Sequence, residues 1–326
     1  MLDFILVLTG TVIGGGFASG REIGTYFIQY GKYACFSMAV FSALFFVICF
    51  KICCICREEK VFTEEEFFKK VYGKTGGEVI FAFTAVYSFV VLSSMLSAMA
   101  SLCGEFFEKD IFLRILFSAG VYIILKNGID GLKAVNYILV PVLAAGLIFG
   151  GEYFGGSLAL QKNYHIAKSI FSAVIYTCYN IITVIPAVVI FSKNKEKFSA
   201  FICCIVSAGI LFICAVSAGK IISGNYFENM MYDIPVIKAV EKGNLFMKAM
   251  VIFSVFSAMA TTAASAGCWV YEYGKRRFNL KNPLFIAFSA FIACFMKFSV
   301  FVDNLYFIFG AAAIYEVIML LKYKKS

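Results

Sequence analysis

The stretch of sequence that decides the fold lies close to the amino terminus and reads GTVIGGGFASGRE, from Gly10 to Glu22. Each glycine of its central run, Gly14, Gly15 and Gly16, destabilises a helix interior by about 1 kcal/mol relative to alanine and allows non-helical backbone angles. We therefore predict that the helix unwinds here and offers free carbonyl and amide groups to a ligand, which membrane proteins tolerate in buried or water-lined positions. Close helix packing is the alternative, because the spacing of Gly16 and Gly20 also matches a GxxxG association motif.

The sequence around this stretch is that of an integral membrane protein. Of its 326 residues, 61% are hydrophobic and 15% are charged, with a mean hydropathy of +0.87. Apolar runs of about 20 residues, long enough to cross a hydrocarbon core of about 30 Å, recur along the whole chain. They predict ten spans: Phe4 to Tyr30, Ala34 to Cys56, Val79 to Cys103, Ile111 to Leu125, Val135 to Gly151, Ala167 to Phe191, Ser199 to Ala218, Leu245 to Tyr271, Pro283 to Val302 and Leu305 to Tyr323. The lipid bilayer is the first expected partner.

The charges between the spans predict the orientation and exclude one class of partner. Lysine and arginine are about twice as frequent on one side of the ten spans as on the other, which makes that side, with both termini, cytoplasmic. The net charge of +9 does not indicate nucleic-acid binding, because the basic residues are dispersed between apolar spans. The run from Phe4 to Ile13 is not expected to be a cleaved signal peptide, since Asp3 replaces the basic region and further spans follow.

Two connections are long enough to contain structure of their own. In the first, Arg57 to Glu78, Thr63 precedes three glutamates and predicts a capped helix along the inner surface. In the second, Ile221 to Asn244, Pro235 indicates a short helix in an outer loop. This loop is either a lid or a passive connection.

Charged residues inside the spans mark a second set of candidates. Arg21 and Glu22 follow the glycine run, Lys297 lies in the ninth span and Glu316 in the tenth. Because charges are costly within a bilayer, they usually face a bundle interior or an aqueous path. We expect Arg21 or Glu22 to gate the outer path or to move a proton, and Glu316 is a further candidate for proton transfer. Structural ion pairing is the alternative.

The sixth span contains a second polar interruption. The sequence Tyr176-Thr177-Cys178-Tyr179-Asn180 lies between two apolar halves and is followed by Pro186, which weakens a helix. Taken alone, this cluster fits ordinary helix packing equally well. Interruptions in spans one and six are, however, what two inverted five-helix repeats would produce. We therefore predict that helix six also unwinds.

The eighth span carries a cluster of hydroxyl groups in a run of small residues. Thr261, Thr262 and Ser265 follow Ala258 closely, and oxygen ligands of this kind suit a hard cation such as sodium. The alternative is that each threonine bonds back to its own helix, which is common.

Taken together, the motif from Gly14 to Ile23 and the later pair Tyr179-Asn180 resemble the YkvI-like bacterial membrane proteins. That group is similar to a branch of the amino acid, polyamine and organocation superfamily, whose members adopt the leucine-transporter fold. The resemblance implies a polytopic helical protein of ten spans in two inverted repeats, about residues 1–151 and 165–326 of a single membrane domain. It also implies a bacterial inner-membrane location and unwound helices one and six.

The resemblance further implies a transport site. The sodium ligands would be the carbonyls of Gly10, Ile13 and Ala258 and the hydroxyls of Thr261 and Thr262. The substrate site would be lined by Gly14, Gly15, Gly16, Phe17, Tyr176, Tyr179 and Asn180, with a substrate carboxylate attracted to the amides and the positive dipole end of the half-helix after the break.

The sequence thus predicts a secondary transporter of a small organic solute, with an amino acid the favoured class, coupled to sodium or protons. No enzyme activity and no cofactor other than a candidate sodium ion are expected, since no HExxH motif is present. The CxxC of Cys53 and Cys56 has no second pair and His165 is the only histidine, which argues against zinc. Two alternatives stay open: a membrane sensor or accessory subunit that transports nothing, and a passive channel.

Overall fold

The computed structural model describes residues 1–104, 110–158, 165–193 and 196–324, and every regular element within these ranges is a helix. The helices are α1 (Leu2–Val12), α2 (Gly15–Ala18), α3 (Arg21–Tyr26), a 3-10 segment (Ile28–Tyr33), α4 (Ala34–Glu59), α5 (Glu64–Tyr72), α6 (Lys74–Gly104), α7 (Asp110–Lys126), α8 (Gly128–Phe154), α9 (Ile166–Phe191), α10 (Lys197–Ser223), α11 (Tyr226–Asn229), α12 (Pro235–Ala239), α13 (Leu245–Phe278), α14 (Leu284–Ala293), α15 (Phe298–Val300), a π segment (Phe301–Leu305) and α16 (Tyr306–Lys322). Four basic residues used to predict the orientation, Lys109, Lys162, Lys195 and Lys325, lie outside the described residues.

Seven helical stretches in the described part of the chain are long and apolar enough to cross a membrane. They are Ile28–Glu59, Lys74–Gly104, Gly128–Phe154, Ile166–Phe191, Lys197–Ser223, Leu245–Phe278 and Phe298–Lys322. Two shorter apolar helices, α1 and α14, have 11 and 10 residues. Large apolar side chains such as Ile138 and Phe198 lie exposed on the helix surfaces, where hydrocarbon suits them. The chain is a membrane protein, and the count of ten spans stays a prediction.

The first and ninth predicted spans are each divided in the structure. The first consists of α1, α2 and α3, and the ninth contains α14 followed, after a turn, by α15. At the end of α14, the buried Arg114 of α7 donates a hydrogen bond to the carbonyl of Cys294, and its guanidinium lies 5.0 Å from the centre of the Phe295 ring. A cation at the carboxyl end of a helix satisfies terminal carbonyls and suits the dipole, so that α14 can end inside an apolar region.

The sixth predicted span is a continuous helix, so the prediction that it unwinds is wrong. Helix α9 runs through Tyr176, Asn180 and Pro186 without a break. Its polar side chains bond back to carbonyls one turn earlier: Thr177 donates to Ala173 over 2.7 Å, and Asn180 to Tyr176 over 2.9 Å. Because these groups are satisfied within the helix, and Pro186 removes a single N–H donor, the packing around α9 keeps it helical.

Helix α9 lies at the centre of the bundle and is buried along most of its length. It packs against α1, α4 and α16, while α1 also contacts α8, α10 and α13. Helix α13 in turn packs against α6 and α8, and the short α2 contacts α13 and α6. The short α2, which contains Gly15 and Gly16, is therefore enclosed between α6, α10 and α13.

The predicted capped helix between the second and third spans is confirmed as α5. Thr63 is its N-cap, and the Thr63 hydroxyl accepts a hydrogen bond of 3.4 Å from the Glu66 N–H. Glu64 is buried and pairs with Arg276 at the end of α13 over 3.2 Å. Burial raises the pKa of the Glu64 carboxyl, and the charge of Arg276 partly offsets this effect. Helix α5 thus closes the bundle beside the end of α13.

Candidate functional site

The first predicted span is interrupted at two places, at the glycine run and at Gly20. Helix α1 ends at Val12, Gly14 is extended with φ −89° and ψ −172°, and α2 begins at the next residue. A second change of direction occurs at Gly20, whose φ of +80° strains any other residue. A side chain at Gly20 would also come within 2.6 Å of Ile222. Backbone conformation and lack of space therefore both require glycine there.

The predicted substrate-binding glycines lie against side chains of α6 and α13. The N–H of Gly15 points at the sulfur of Met95, 3.1 Å away. A Cβ atom at Gly15 would lie 2.7 Å from Met259 Cγ and 3.0 Å from the Met95 sulfur. The neighbouring Phe17 is fully buried in α2. Any side chain at Gly15 would push the two methionines away from the break.

The carboxylate of Glu22 is turned back towards the glycine run. Glu22 is 4% exposed, and the Tyr176 hydroxyl donates a hydrogen bond of 3.0 Å to its Oε2. The carboxyl group also lies directly against Gly16, where a Cβ atom would have to stand. The predicted gate residue Glu22 and the predicted substrate-binding residues Gly16 and Tyr176 therefore form one cluster at the beginning of α2.

Five tyrosines surround this carboxylate and form what we call the tyrosine cluster: Tyr26, Tyr87, Tyr176, Tyr179 and Tyr306. Tyr179 is at its centre, with ring centroids 5.5 Å from Tyr26, 5.1 Å from Tyr176 and 5.3 Å from Tyr306. Its hydroxyl is buried and has no hydrogen-bond partner among the described residues. Buried tyrosine hydroxyls usually find a partner, so this oxygen is available to a ligand.

A small cavity of about 20 Å³ lies between the glycine run and the tyrosine cluster. It has room for about one water molecule but not for an amino acid. Its lining consists of Thr11, Val12, Gly14, Glu22, Tyr87, Val91, Met95, Tyr179, Asn180, Thr183, Thr262 and Tyr306. The structure thus brings Gly14, Glu22, Tyr179 and Asn180 around one space, with Tyr176 behind Glu22.

Most of the predicted sodium ligands lie where α1 and α13 meet, and Thr262 among them also lines the cavity. The Thr262 hydroxyl donates a hydrogen bond of 3.0 Å to the Gly10 carbonyl, and the Thr261 hydroxyl donates one of 3.0 Å to the Ala258 carbonyl. Ile13 is buried next to Gly14, where a Cβ atom would lie 3.0 Å from Thr262 Oγ1. These uncharged oxygens have the donor chemistry that a sodium ion requires, and each hydroxyl keeps lone pairs free while it donates its proton.

Arg21 fastens the end of the break to two other parts of the chain. Its guanidinium forms an ion pair with Asp303 in the π segment and donates hydrogen bonds to the carbonyls of Met230, at 2.8 Å, and Tyr232, at 3.2 Å. The last two residues belong to the connection between α10 and α13, which we call the 224–244 loop. The Ser19 carbonyl also accepts a hydrogen bond of 2.9 Å from the Val236 N–H of this loop. The loop therefore covers the break.

Glu316 lies apart from this cluster. It is buried on α16, ten residues beyond Tyr306, which corresponds to about 15 Å along a helix. Neither of its carboxylate oxygens has a hydrogen-bond partner among the described residues. Lys297, by contrast, is exposed. The structure therefore does not bring Glu316 into the cavity or Lys297 into the bundle interior.

No family model matches the chain. The uncharacterized membrane protein YkvI of Bacillus subtilis (strain 168) is 25% identical to it over 243 residues, which are 72% of this chain and 69% of the relative. This similarity confirms the resemblance predicted from the glycine motif.

Several solved transporter structures are similar to this one. MhsT in complex with L-phenylalanine has a TM-score of 0.69 at 17% identity, covering 100% of this chain and 82% of MhsT. A manganese transporter of Eremococcus coleocola has a TM-score of 0.69 at 10% identity, over 98% and 77% of the two chains. A Na⁺-coupled sialic acid symporter has a TM-score of 0.63 at 13% identity, and the match covers 97% of this chain and 73% of the symporter. The chain has the leucine-transporter fold.

The leucine-transporter fold brings residues to the site that sequence reasoning missed. Tyr26, Tyr87 and Tyr306 come from three different helices, and nothing in the sequence marks them as neighbours. Asp303 could have been found, because it is an acidic residue directly between the ninth and tenth predicted spans. Its partner Arg21 is 282 positions away, so the pair itself could be recognised only from the fold.

Proposed function

We propose that the chain is a secondary active transporter of a small organic solute, driven by a sodium or proton gradient across the bacterial inner membrane. The observation that carries this proposal is a broken first helix whose glycine run, together with a buried carboxylate, lines a central cavity in a protein of leucine-transporter fold. The proposal includes ten spans in two inverted repeats and cytoplasmic termini. The sequence favours an amino acid as the solute.

The closed geometry supports alternating access. A cavity of about 20 Å³ cannot hold an amino acid, so the site must widen to receive one and then close again. The contacts that would open on one side are those of Arg21 with Asp303 and with the 224–244 loop. Such a gate excludes water and solute while the opposite side is open.

The coupling ion would bind where α1 and α13 meet. We propose that Gly10, Ile13 and Ala258 provide carbonyl oxygens and Thr261 and Thr262 provide hydroxyl oxygens to sodium. Support comes from the hydrogen bond between Thr262 and Gly10, which places atoms of both helices in contact directly beside the break. An ion that joins these helices would stabilise one state of the break and so link its own gradient to solute binding. Proton coupling would instead use Glu22 or Glu316.

The test is uptake into proteoliposomes that contain the purified full-length protein. Mixed radiolabelled amino acids and amines are offered with an inward sodium gradient, a proton gradient or neither. A transporter accumulates solute only with a gradient. Flux that is indifferent to both gradients would indicate a channel, and binding without accumulation would indicate a sensor or accessory subunit.

A glycine pair provides the matched variants for this assay. Gly15→Leu places a side chain against Met95 and Met259, whereas a Cβ atom at Gly209 of α10 has open space around it. We expect Gly15→Leu to abolish accumulation and Gly209→Leu to retain it, with both proteins inserted at equal levels. Full activity of the Gly15 variant would contradict a role of the break in transport.

A further inference from the structure

Resting on the proposed transport function, we propose a substrate class: the solute is an organic amine that carries no carboxylate, and its protonated amino group binds to Glu22. In this arrangement the protein itself contributes the carboxylate at the helix break. The inference starts from the position of one side chain and is supported by the charges and the aromatic rings around it.

The position of Glu22 is the first step. Its carboxyl group lies directly against Gly16, the second residue of α2. This is the beginning of the half-helix to which the sequence interpretation assigned a substrate carboxylate. A solute carboxylate at the same place would meet a negative group in a buried site, and like charges repel strongly where water is excluded. An ammonium group would meet a counter-ion.

The charges around the cavity are the second step. Glu22 is the only acidic side chain among the lining residues, and none of them is basic. The nearest guanidinium along the chain, Arg21, is held by Asp303 and by two carbonyls of the 224–244 loop. The described lining residues therefore include one carboxyl group and no basic side chain that could pair with the carboxylate of an amino acid.

The aromatic rings are the third step. Tyr87, Tyr179 and Tyr306 line the cavity, with centroids 5.3 Å apart for Tyr179 and Tyr306 and 5.8 Å apart for Tyr87 and Tyr306. Faces of aromatic rings attract cations, and cages of such rings bind ammonium groups. The buried Tyr179 hydroxyl, which has no partner among the described residues, can accept a hydrogen bond from an N–H. Val12, Val91 and Met95 complete an apolar wall for the rest of the solute.

The experiment compares probes that differ only in the carboxylate. Phenethylamine is paired with L-phenylalanine and isobutylamine with L-valine, and each is titrated into the detergent-purified full-length protein while its thermal stability is followed. A ligand that binds only the folded state raises the melting temperature. We expect stabilisation by an amine but not by the matching amino acid. Stabilisation by the amino acids alone would overturn the inference, as would a lack of response to both amines.

Two variants connect the result to the proposed site. Glu22→Gln keeps the shape of the side chain and removes its charge, and should weaken amine binding by about tenfold or more, since hydrogen bonds to charged groups contribute substantially. Glu152→Gln is the control, because its side chain is exposed and pairs with Lys220 away from the cavity. Equal amine affinity of wild type and Glu22→Gln would overturn the assignment.

A third variant covers the case in which Glu22→Gln does not fold. Tyr179→Phe removes one hydroxyl and keeps the ring, and should weaken amine binding a few-fold while amino acids still fail to bind. Unchanged amine affinity in this variant would count against the proposed contact. Because binding is measured without a membrane, an amine that stabilises the protein but never accumulates in proteoliposomes would support the substrate class and refute the transport function.

Discussion

Asp303→Asn should loosen the 224–244 loop without unfolding the protein. The substitution removes the charge that Arg21 faces in the π segment but leaves its two hydrogen bonds to loop carbonyls. The side chains of Arg21 and Asp303 are 14% and 36% exposed, so this ion pair is intermediate between a fully exposed pair and a fully buried one. Exposed pairs contribute about 0.2–1 kcal/mol, and breaking a buried pair costs about 3–5 kcal/mol.

We take an intermediate loss of about 1–2 kcal/mol, which increases an opening equilibrium by roughly 5- to 30-fold. Amide hydrogen exchange measures this equilibrium directly, because protected amides exchange through local opening. We expect amide exchange to become roughly 5- to 30-fold faster in α11 and α12. This includes the Val236 N–H, which donates to the Ser19 carbonyl. Amides in the middle of α9 should not change.

Glu152→Gln again serves as the control, since it breaks an exposed pair with Lys220 outside the loop. In a double-mutant cycle, Arg21→Gln and Asp303→Asn together should accelerate exchange by less than the product of the single effects. Exchange rates of the loop that stay at the wild-type value in Asp303→Asn would refute the gate as described.

Three further predictions concern the break, the ion and the inner surface. Thr262→Ala should raise the sodium concentration needed for half-maximal uptake several-fold, whereas Thr262→Ser should leave this concentration at the wild-type value. If both variants need the same sodium concentration, Thr262 is not a ligand of the ion. In Gly15→Ala the single methyl group already meets Met259, so uptake should fall well below that of Gly209→Ala in the same vesicles. Arg276→Gln removes the charge that partly offsets the effect of burial on Glu64, whose folded-state pKa is raised. A raised carboxyl pKa favours the folded state while the carboxyl group is protonated, and this contribution is lost as the pH rises. The thermal stability of the variant should therefore fall from pH 5 to pH 8 more steeply than that of the wild type.

The membrane class and the break in the first helix could be predicted because their causes are local. Glycine in a helix interior weakens it wherever it occurs, and the apolar runs recur at the length of a bilayer. The same local reasoning fails for α9, where Tyr176 to Asn180 and Pro186 suggested a second break. The sequence shows which side chains are polar, but only the structure shows that Thr177 and Asn180 bond back to their own helix.

The candidate site was predictable in part for a similar reason. Gly14, Glu22, Tyr179 and Asn180 stand out in apolar surroundings and do line one cavity. The direction of the Glu22 side chain depends on the turn at Gly20 and on Tyr176, which is 154 positions away. That direction decides between a site for a solute carboxylate and a site for an ammonium group, and sequence reasoning had no means to determine it.

Three hydrogen bonds that attach the 224–244 loop to the region of the break use main-chain atoms of the loop. Arg21 binds the carbonyls of Met230 and Tyr232, and the Ser19 carbonyl binds the Val236 N–H. Carbonyl and amide groups are present whatever the side chain, so these contacts make few demands on residue identity. These three hydrogen bonds therefore depend on the length of the loop more than on its side chains, and a deletion of one or two residues would move the acceptors out of reach.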